Sequence, residues 1–438
     1  MFHMDLGLGR MREAISALKL DHPGGLSVQI AGTNGKGSTS TFLAAMLTAS
    51  GVRTGLYTSP HFLSVRERIL VDNGGLPDAA WLEAAEAVLA VSSDRAPGLR
   101  LTYFELLTVM AALLFARSGC RACVFEAGLG GAHDATTALP HHLTVFTPIG
   151  LDHMTILGPT IEDIARDKAQ AMRPGVPAVS ADQPPRARVV LEAVSGQVGA
   201  PLYFARDLAA EAEAGGHAWP DKPGLPGPHQ ADNLRLALAA LHLLAVGRGP
   251  GRVRHPHPGP NPRPLPPELP ETVEDPEALA RAAREAFIPG RFQIIPATGD
   301  QPSFVLDGAH NQPGLECLAQ ALESLRIKPV AAVFACLGDK DLAAMTPLAR
   351  SLTGGPILVP GLDAPGRALD PAELAARLGG RAVPVAGVEE AFERVKGMRG
   401  TVLVCGSLYL LADVYRLRPH WLGRSPSSSP IAIPPDVG

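Results

Sequence analysis

The sequence lacks the charge excess and the internal repeats that mark several classes of protein. Its 39 Lys and Arg residues nearly balance 43 Asp and Glu residues, for a formal net charge of -4. General nucleic-acid binding usually needs a basic surface, so we expect no nucleic-acid partner, although the balance is compatible with a local basic pocket. The sequence also shows no repeat with the period of a solenoid.

Long hydrophobic runs are missing as well. No uninterrupted apolar run reaches the length that spans a membrane. Met1–Arg12 contains no long apolar stretch followed by a small-residue cleavage site. These absences predict a soluble cytoplasmic protein without a membrane partner, and we expect it to be a monomer.

Cysteine is scarce, with five residues in the chain. Cys120 and Cys123 form a C-x-x-C pair, which in other contexts indicates a metal or redox site. No second pair follows at the spacing of a zinc site, and Cys120, Cys123, Cys336 and Cys405 lie in or beside apolar runs. We therefore predict buried, reduced cysteines in a reducing compartment.

Strand and helix patterns alternate along the rest of the chain. The chain of 438 residues is too long for one ordinary domain. The alternation is typical of α/β domains with mostly parallel sheets. We predict one α/β domain over residues 1–288 and a smaller one over residues 289–424. The predicted strands are 26–31, 122–126, 143–148, 303–306, 330–336, 356–359 and 401–405, and the predicted helices are 38–49, 102–115, 161–172, 229–245, 314–325 and 343–352.

Two segments are too rich in proline to continue either pattern. Residues 247–270 are predicted to be an extended linker or surface loop, and a basic binding tail is the alternative. Residues 425–438 have the sequence SPSSSPIAIPPDVG and are predicted to be disordered.

The most informative motif is AGTNGKGST at residues 31–39, between a predicted strand and a predicted helix. Small residues let backbone N–H groups surround phosphate oxygens, and a helix N-terminus adds unpaired donors. Lys36 would neutralise the β- and γ-phosphates, whereas Ser38 and Thr39 could cap the helix or reach phosphate and metal. The pattern G-x-x-x-x-G-K-[ST] does not fit, because Ile30 replaces its first glycine and Gly37 follows the lysine. The alternative is a tight turn with an incidental lysine.

The loop GTNGKGST resembles the phosphate loop of folylpolyglutamate synthases and dihydrofolate synthases, which belong to the wider Mur ligase superfamily. Other segments resembling this family's motifs follow in order, over about residues 5–415. They are YTSPH at 57–61, TYFE at 102–105, EAGLGG at 126–131, DAT at 134–136, DH at 152–153, LG at 157–158, Lys168, HQ at 229–230, Asn233, PGR at 289–291, LDGAHN at 306–311 and GSLY at 406–409. Each piece could arise by chance, but the ordered set is specific.

The resemblance implies an N-terminal P-loop ATPase domain of the Mur ligase type and a C-terminal Rossmann-like domain. In the family reaction a carboxylate attacks the γ-phosphoryl group of ATP, and the amino group of glutamate then displaces phosphate from the acyl phosphate. Phosphoryl transfer depends on positioning and charge neutralisation. By resemblance, the ATP-binding residues are Asn34, Gly35, Lys36, Gly37, Ser38, Thr39, Asn233, Arg291 and Asp307.

The resemblance also implies two magnesium sites. Ser59, Glu126 and His153 would hold one Mg²⁺, and a carbamylated Lys168 (N6-carboxylysine) would support a second. The plainer alternatives are a surface carboxylate at Glu126, a structural or surface histidine at His153 and a solvated lysine at Lys168. The implied catalytic residues are Lys36, Lys168 and His310.

The implied acceptor is dihydropteroate or a reduced folate, and the implied amine is L-glutamate. The matching folate-site residues are Thr102, Tyr103, Phe104, Glu105, His133, Asp134 and Ala135, although Tyr103 and Phe104 could equally belong to a core. His310 and Ser407 would bind or orient glutamate. Asn233 and Asp307 have plainer alternatives as a locally bonded amide and a turn residue.

The sequence departs from the family's motifs at several positions. Ala132 replaces the arginine after Gly-Gly and is followed by His133, Thr136 or Thr137 stands where the motif D-A-T-N ends, and Gln312 replaces a proline. None of these changes removes a proposed metal or phosphate ligand, but those at Ala132 and His133 affect the expected acceptor pocket.

Two alternative functions stay open on the sequence. One is another Mur-type amino-acid ligase with a non-folate acceptor. The other is an inactive ATP-binding regulator, although such a protein would have no chemical need for Lys36, Ser59, Glu126, His153 and Lys168 together.

Overall fold

The structure, a computed structural model, describes residues 7–20, 25–92, 100–216, 219–246, 269–270, 273, 275–364 and 366–423. The chain divides into two compact units. One comprises Met1–Lys222 and Ala231–Ala286, and the other comprises Pro223–Gln230 and Phe287–Gly438. The short segment Pro223–Gln230, which the sequence-based boundary placed in the first domain, therefore groups with the second unit.

Eight strands form the sheet of the first unit: β1 Leu26–Ala31, β2 Thr54–Tyr57, β3 Ile69–Val71, β4 Gly74–Gly75, β5 Ala122–Glu126, β6 Leu143–Phe146, β7 Ala178–Ser180 and β8 Leu202–Phe204. Their order is β4-β3-β2-β5-β1-β6-β7-β8. The pairs β2–β3 and β3–β4 are antiparallel and all other pairs are parallel. Strand β1 is buried along its whole length, as expected for a central parallel strand.

The described helices of the first part of the chain are α1 Gly9–Ala17, α2 Lys36–Ala49, α3 Asp78–Val91, α4 Tyr103–Arg117, α5 Met154–Leu157, α6 Ile161–Ala169, α7 Pro185–Val198, α8 Ala205–Ala214, α9 Pro228–Val246 and α10 Pro276–Glu285. Local sequence sets several of their starts. Thr102 and Thr160 form capping boxes with the third residue of α4 and of α6. The division between the two units falls within α9.

The second unit contains a six-stranded sheet. Its strands are β9 Gln293–Ile295, β10 Ser303–Leu306, β11 Ala331–Phe334, β12 Ile357–Pro360, β13 Ala382–Val385 and β14 Thr401–Cys405. Their order is β13-β12-β11-β14-β10-β9, and only β9 runs antiparallel to its neighbour. The helices are α11 Gln312–Ser324, α12 Leu342–Ser351, α13 Pro371–Leu378, α14 Val388–Val395 and α15 Leu408–Leu417.

The α/β class with mostly parallel sheets is confirmed, and the predicted strands 26–31, 122–126, 303–306 and 401–405 have the predicted bounds. Other ends differ. Strand β6 ends at Phe146, before Pro148, which has no N–H to give a sheet. Helix α2 starts at Lys36, two residues early, because Gly35 in the left-handed region already serves as its N-cap.

Several other predictions have mixed outcomes. All five cysteines are free thiols and four of them are buried, as predicted. Within the described part of the chain, no helix is both long and apolar enough to cross a membrane. The predicted linker 247–270, except residues 269 and 270, and the predicted disordered tail 425–438 lie outside the described residues.

Candidate active site

The predicted phosphate loop lies at the carboxyl ends of three neighbouring strands. Ile30 of β1 pairs with Glu126 of β5, and Ala31 pairs with Phe146 of β6. In open α/β sheets this is the edge at which ligands bind. Sheet topology therefore places the end of β5 beside the loop that follows β1.

Two glycines shape the loop by allowing close approach. Gly32 has a φ of 138°, and a Cβ there would lie 1.9 Å from Thr147 Oγ1. Gly35 has a φ of 87°, and a Cβ there would lie 2.4 Å from Asn233 Oδ1. Only glycine tolerates both the conformation and the contact. Asn233, predicted by resemblance to bind ATP, thus has its side-chain amide against the phosphate loop.

Helix α2 begins inside the motif, and no acidic side chain occupies its first turn. The positive end of its dipole is therefore not offset by the helix's own residues. Ser38 and Thr39 are buried, with 2% and 0% exposure. Asn34 is half-buried, and its backbone N–H donates to the Pro148 carbonyl at 3.4 Å.

Two lysines converge on the carbonyl of Gly32. Lys36 Nζ donates to Gly32 O at 3.3 Å and to Thr33 O at 3.0 Å. Lys168 Nζ, from α6, donates to Gly32 O at 2.8 Å, and Lys168 is 4% exposed. Burial, together with the nearby charge of Lys36, lowers the pKa of Lys168 to about 7. The solvated lysine considered from the sequence is thus ruled out for this position.

The predicted metal ligands Ser59 and Glu126 are neighbours. The backbone N–H of Ser59 donates to Glu126 Oε2 at 3.0 Å. A Cβ on Gly37 would lie 3.6 Å from Glu126 Oε1, which places the carboxylate directly beside the phosphate loop. Glu126 is 5% exposed, so it is not a surface carboxylate. A buried carboxylate beside a phosphate loop has the hard oxygen atoms that Mg²⁺ prefers.

His153 occupies a different setting. It is exposed, has a φ of 52°, and precedes the short helix α5, with Nε2 3.9 Å from Asp152 Oδ2. Among the residues that the structure describes, no group of three or more His, Cys, Asp or Glu side chains could by itself hold a metal. The mixed set of one serine, one carboxylate and one imidazole stays a prediction.

The predicted folate segment at the start of α4 is partly used for helix capping. Thr102 Oγ1 accepts from the Glu105 N–H at 3.3 Å, and Glu105 Oε2 accepts from the Thr102 N–H at 2.7 Å. Glu105 also forms an ion pair with Arg10 of α1, at 3.0 Å between Nη2 and Oε1. Thr102 and Glu105 are therefore bonded to each other and to α1.

The two aromatic residues of that segment differ in exposure. Tyr103 is 60% exposed, with the Arg68 guanidinium 5.8 Å from its ring centre. Phe104 is half-buried and packs 5.9 Å from the Tyr57 ring, and its Cζ would lie 2.6 Å from a Cβ on Gly128. Phe104 thus sits against the loop that follows Glu126.

That loop, residues 128–137, contains three of the predicted folate contacts and is called the acceptor loop after that prediction. Asp134 is buried within it and accepts backbone N–H bonds from Gly128 at 2.8 Å and from Leu129 at 2.9 Å. Burial raises the pKa of Asp134, and the bonds it accepts oppose that shift. Of the three predicted folate contacts here, Asp134 and Ala135 are buried and His133 is exposed.

In the second unit, Asp307 follows β10 and organises the adjoining backbone. Its carboxylate accepts from the N–H groups of Phe292 and Ala309, each at 2.8 Å. Burial raises the pKa of Asp307, and the charge of Arg291 opposes that shift. A Cβ on Gly308 would lie 2.5 Å from Arg291 Nη1, so the guanidinium lies directly over this glycine.

The two predicted glutamate-binding residues follow two neighbouring strands of the second sheet, His310 after β10 and Ser407 after β14. His310 Nδ1 bonds to the Gly308 carbonyl at 2.7 Å, and since a carbonyl only accepts, this nitrogen carries the proton. Ser407 follows β14 and caps α15, because its Oγ accepts from the Tyr409 N–H at 3.1 Å. Ser407 is buried, whereas His310 is half-buried.

Several residues that support these segments were not predicted from the sequence. Gln29, His141 and Arg173 all bond to the acceptor loop or its C-terminal continuation. Asp167 accepts from the Gly131 N–H at 2.8 Å. The one available signal was Gln29 itself, a polar residue in the middle of the buried strand LSVQIA.

Two protein-family models match the chain. The Mur ligase middle domain matches residues 30–177, and the Mur ligase glutamate ligase domain matches residues 290–408. These ranges contain the phosphate loop, the acceptor loop and Lys168 in the first case, and Arg291 and Asp307 in the second.

Curated relatives carry matching names. The dihydrofolate synthase/folylpolyglutamate synthase of Bacillus subtilis is 31% identical over 438 residues, covering 94% of this chain and 95% of that protein. Two archaeal relatives, from Halobacterium salinarum and Haloferax volcanii, are named probable bifunctional folylpolyglutamate synthase/dihydropteroate synthase. The chain spans 37% and 48% of their lengths.

Solved structures agree in fold. A bifunctional folylpolyglutamate synthase/dihydrofolate synthase from Yersinia pestis has a TM-score of 0.78 at 30% identity, covering 95% of each chain. A structure of a bifunctional folylpolyglutamate synthase/dihydrofolate synthase with Mn, AMPPNP and L-glutamate bound has a TM-score of 0.76 at 29% identity, again with 95% of each chain covered. By its motifs, its fold and these relatives, the chain belongs to the folylpolyglutamate synthase/dihydrofolate synthase family of Mur ligases.

Proposed function

We propose that this chain is an ATP-dependent ligase that joins L-glutamate to dihydropteroate, to reduced folates, or to both. The observation that carries the proposal is the cluster beside the phosphate loop, where Lys36 and Lys168 share the Gly32 carbonyl and Glu126 lies next to Gly37. The Lys36 cation and the Glu126 carboxylate beside a glycine loop suit the transfer of a phosphoryl group. The names of the relatives supply the acceptor and the amine.

The proposed reaction has two steps. The acceptor's carboxylate oxygen bonds to the γ-phosphorus of ATP while the bond to the β–γ bridging oxygen breaks, and ADP leaves with the electron pair. The amino group of glutamate then attacks the acyl carbon, inorganic phosphate departs, and the nitrogen loses a proton as the amide forms. Lys36 would turn from the Gly32 and Thr33 carbonyls to the phosphates, and backbone N–H groups at the start of α2 would contact the same oxygens.

A divalent metal fits the first unit. The bound Mn in a related structure supports one, and we propose that Mg²⁺ is held by Glu126 with Ser59 and His153. The fit rests on the buried Glu126 carboxylate beside Gly37, because Mg²⁺ favours carboxylate oxygen and retains several waters. When bound, the ion would supply positive charge next to the phosphates.

We further propose that Lys168 becomes N6-carboxylysine. A neutral amine attacks the carbon of CO₂, forms an N–C bond and releases a proton, and a pKa of about 7 makes the neutral form available near neutral pH. ¹³C NMR with labelled bicarbonate should show a carbamate that increases from about pH 6 to about pH 8. The variant Lys168→Gln should lack that signal, and an unchanged signal in this variant would place the carbamate elsewhere.

The remaining assignments follow exposure and partners. Tyr103, Phe104 and His133 are the residues proposed to contact the acceptor, whereas the buried residues Glu105, Asp134 and Ala135 would support them from inside. Thr102 is exposed, and its proposed role is to cap α4. In the second unit, Arg291 and Asp307 are proposed to bind ATP, and His310 and Ser407 to bind or orient glutamate. We also propose that the protein is a cytoplasmic monomer. Its five free thiols support a reducing compartment.

The test is phosphate release from ATP and Mg²⁺ by the purified chain, with and without glutamate, offering dihydropteroate and tetrahydrofolate separately. Glutamate-dependent release with dihydropteroate would identify dihydrofolate synthase activity, and release with tetrahydrofolate would identify polyglutamylation. Release with both would indicate one bifunctional enzyme. A chain that binds ATP but releases phosphate with neither acceptor would refute the folate assignment and favour another Mur-type acceptor.

A further inference from the structure

A buried glutamine joins the central strand of the first sheet to the acceptor loop. Gln29 lies in β1, and its side chain is 0% exposed. Its Nε2 donates to Thr136 Oγ1 at 2.9 Å and to Thr137 Oγ1 at 2.6 Å. Gln29 is therefore bonded to two consecutive residues at the C-terminal end of the loop, more than a hundred positions away along the chain.

The direction of each bond in this network is determined by the partners. Thr136 Oγ1 donates to Asp134 Oδ1 at 2.5 Å, and Thr137 Oγ1 donates to the Gly131 carbonyl at 2.7 Å. Each hydroxyl has a single proton, so both must accept from Gln29. Two relays result, one ending on the Asp134 carboxylate and the other on the Gly131 carbonyl.

The relays reach most of the acceptor loop. Asp134 holds the N–H groups of Gly128, Leu129 and Thr136 at 2.8 to 3.0 Å. His141 Nε2 also bonds to the Thr136 carbonyl, at 2.6 Å. Buried polar groups thus hold the loop that carries His133 and against which Phe104 packs.

The amide oxygen of Gln29 indicates why a polar residue occupies this buried position in β1. Among the described residues, Gln29 Oε1 is buried without a hydrogen-bond partner. An unsatisfied buried oxygen destabilises the fold, and an apolar side chain of the same length would avoid that cost. The benefit of a glutamine at this position therefore comes from its two N–H donors, which bond Thr136 and Thr137.

We propose that Gln29 is a positioning residue for the acceptor: by donating to Thr136 and Thr137 it holds the acceptor loop in the geometry that binds the pterin-bearing substrate. This inference rests on the proposed function. Gln29 precedes the phosphate loop in the chain, so the competing explanation is a general effect on ATP binding.

Gln29→Met, which keeps the length but removes both donors, separates the two explanations. The KM for the acceptor should rise about tenfold, and the KM for ATP should stay within about twofold. Ser50→Ala is the matched control, because it removes a buried hydroxyl that bonds Met46 and Val273 in the same unit. It should lower Tm without changing either KM. An equal rise in both KM values for Gln29→Met would overturn the proposal.

A second pair of variants tests the relay itself. Thr136→Val removes the hydroxyl and should raise the acceptor KM, whereas Thr136→Ser keeps it and should restore the wild-type value. Combining Thr136→Val with Gln29→Met should add less than the sum of the two single effects. Additive effects would show that Gln29 does not act through Thr136.

Hydrogen–deuterium exchange tests whether Gln29 holds the acceptor loop, and it does not require enzyme activity. Backbone amides of residues 128–137 should exchange at least about tenfold faster in Gln29→Met, while amides of α2 should not change. Unchanged loop exchange would contradict the proposal. A wild-type chain inactive on both acceptors would refute the proposed function, and the exchange comparison would still decide whether Gln29 holds the loop.

Discussion

Lys36 and Lys168 illustrate how single residues build the site. Both ammonium groups bond the Gly32 carbonyl, and one of them is almost fully buried. Two like charges near each other, with one removed from water, lower the pKa of the buried amine. The same carbonyl belongs to a glycine that no other residue could replace without a clash.

Gly32→Ala should disrupt the loop. The φ of 138° and a Cβ 1.9 Å from Thr147 Oγ1 leave no room, so we expect a loss of at least about tenfold in ATP affinity and about 2 kcal/mol in stability. Gly51→Ala is the control, since φ is 77° there but no atom lies within 4 Å of its Cβ. It should cost about 1 kcal/mol and leave ATP affinity unchanged. Fluorescent-nucleotide titration and urea unfolding measure both, and equal ATP affinity in the two variants would contradict the expectation.

Lys168→Met should change the pH dependence of stability. The folded-state pKa of about 7 lies below that of the unfolded chain, so the unfolded state holds more protons between these values. Wild-type stability should therefore rise relative to the variant from about pH 7 to about pH 10, by up to about 5 kcal/mol. Urea unfolding in CO₂-free buffer measures the difference. Parallel pH curves for the two proteins would show that the amine is not buried as described.

At the scale of elements, helix α4 connects capping, packing and the acceptor site. Its capping box is local, between Thr102 and Glu105, but the same glutamate reaches α1 through Arg10. The side chains of Arg10 and Glu105 are 17% and 9% exposed, so the pair is largely shielded from water. Anchoring α4 in this way fixes where Tyr103 and Phe104 stand.

Arg10→Met should destabilise the first unit by about 2–3 kcal/mol, because it leaves the Glu105 carboxylate poorly compensated. Adding Glu105→Gln should recover part of this loss. Arg377→Ala, which removes an exposed pair with Glu373, should cost less than about 0.5 kcal/mol. If Glu105 instead contacts the acceptor directly, Glu105→Gln should raise the acceptor KM more than Arg10→Met does, which kinetics would reveal.

At the scale of the whole molecule, each unit has its own core. The first contains an aromatic cluster in which Phe115 and Phe125 lie 5.5 Å apart, centre to centre. The second contains Phe304 and Phe392 at 4.8 Å, with Trp421 packed against both. Separate cores of this kind permit separate cooperative unfolding.

Calorimetry should therefore resolve two transitions that respond to different substitutions. Phe115→Ala and Phe392→Ala each remove a ring that is 1% exposed, and each should cost about 3 kcal/mol in its own unit. One transition should fall in temperature in each variant while the other stays in place. A single transition lowered equally by both changes would show that the units unfold together.

Much of this architecture could be predicted from local sequence. The strands Leu26–Ala31 and Ala122–Glu126 were predicted with their observed bounds because apolar runs ended by a glycine turn or a carboxylate leave little ambiguity. Helix ends were harder to predict. Gly35 caps α2 in a left-handed backbone conformation, which a glycine allows but does not require. The site residues could be proposed from the family resemblance, but the sequence could not predict how deeply each of them is buried.

The sequence by itself determined the order of motifs, the α/β class and the phosphate loop, since a strand, a glycine turn and a helix start are set by residues that adjoin in the chain. Tertiary structure alone decided that Lys168 meets Gly32, that Arg10 pairs with Glu105 and that Gln29 holds Thr136 and Thr137. Those partners lie 95 to 136 positions apart. Strand order and helix packing bring these residues together, and neither can be predicted from residues that adjoin in the chain.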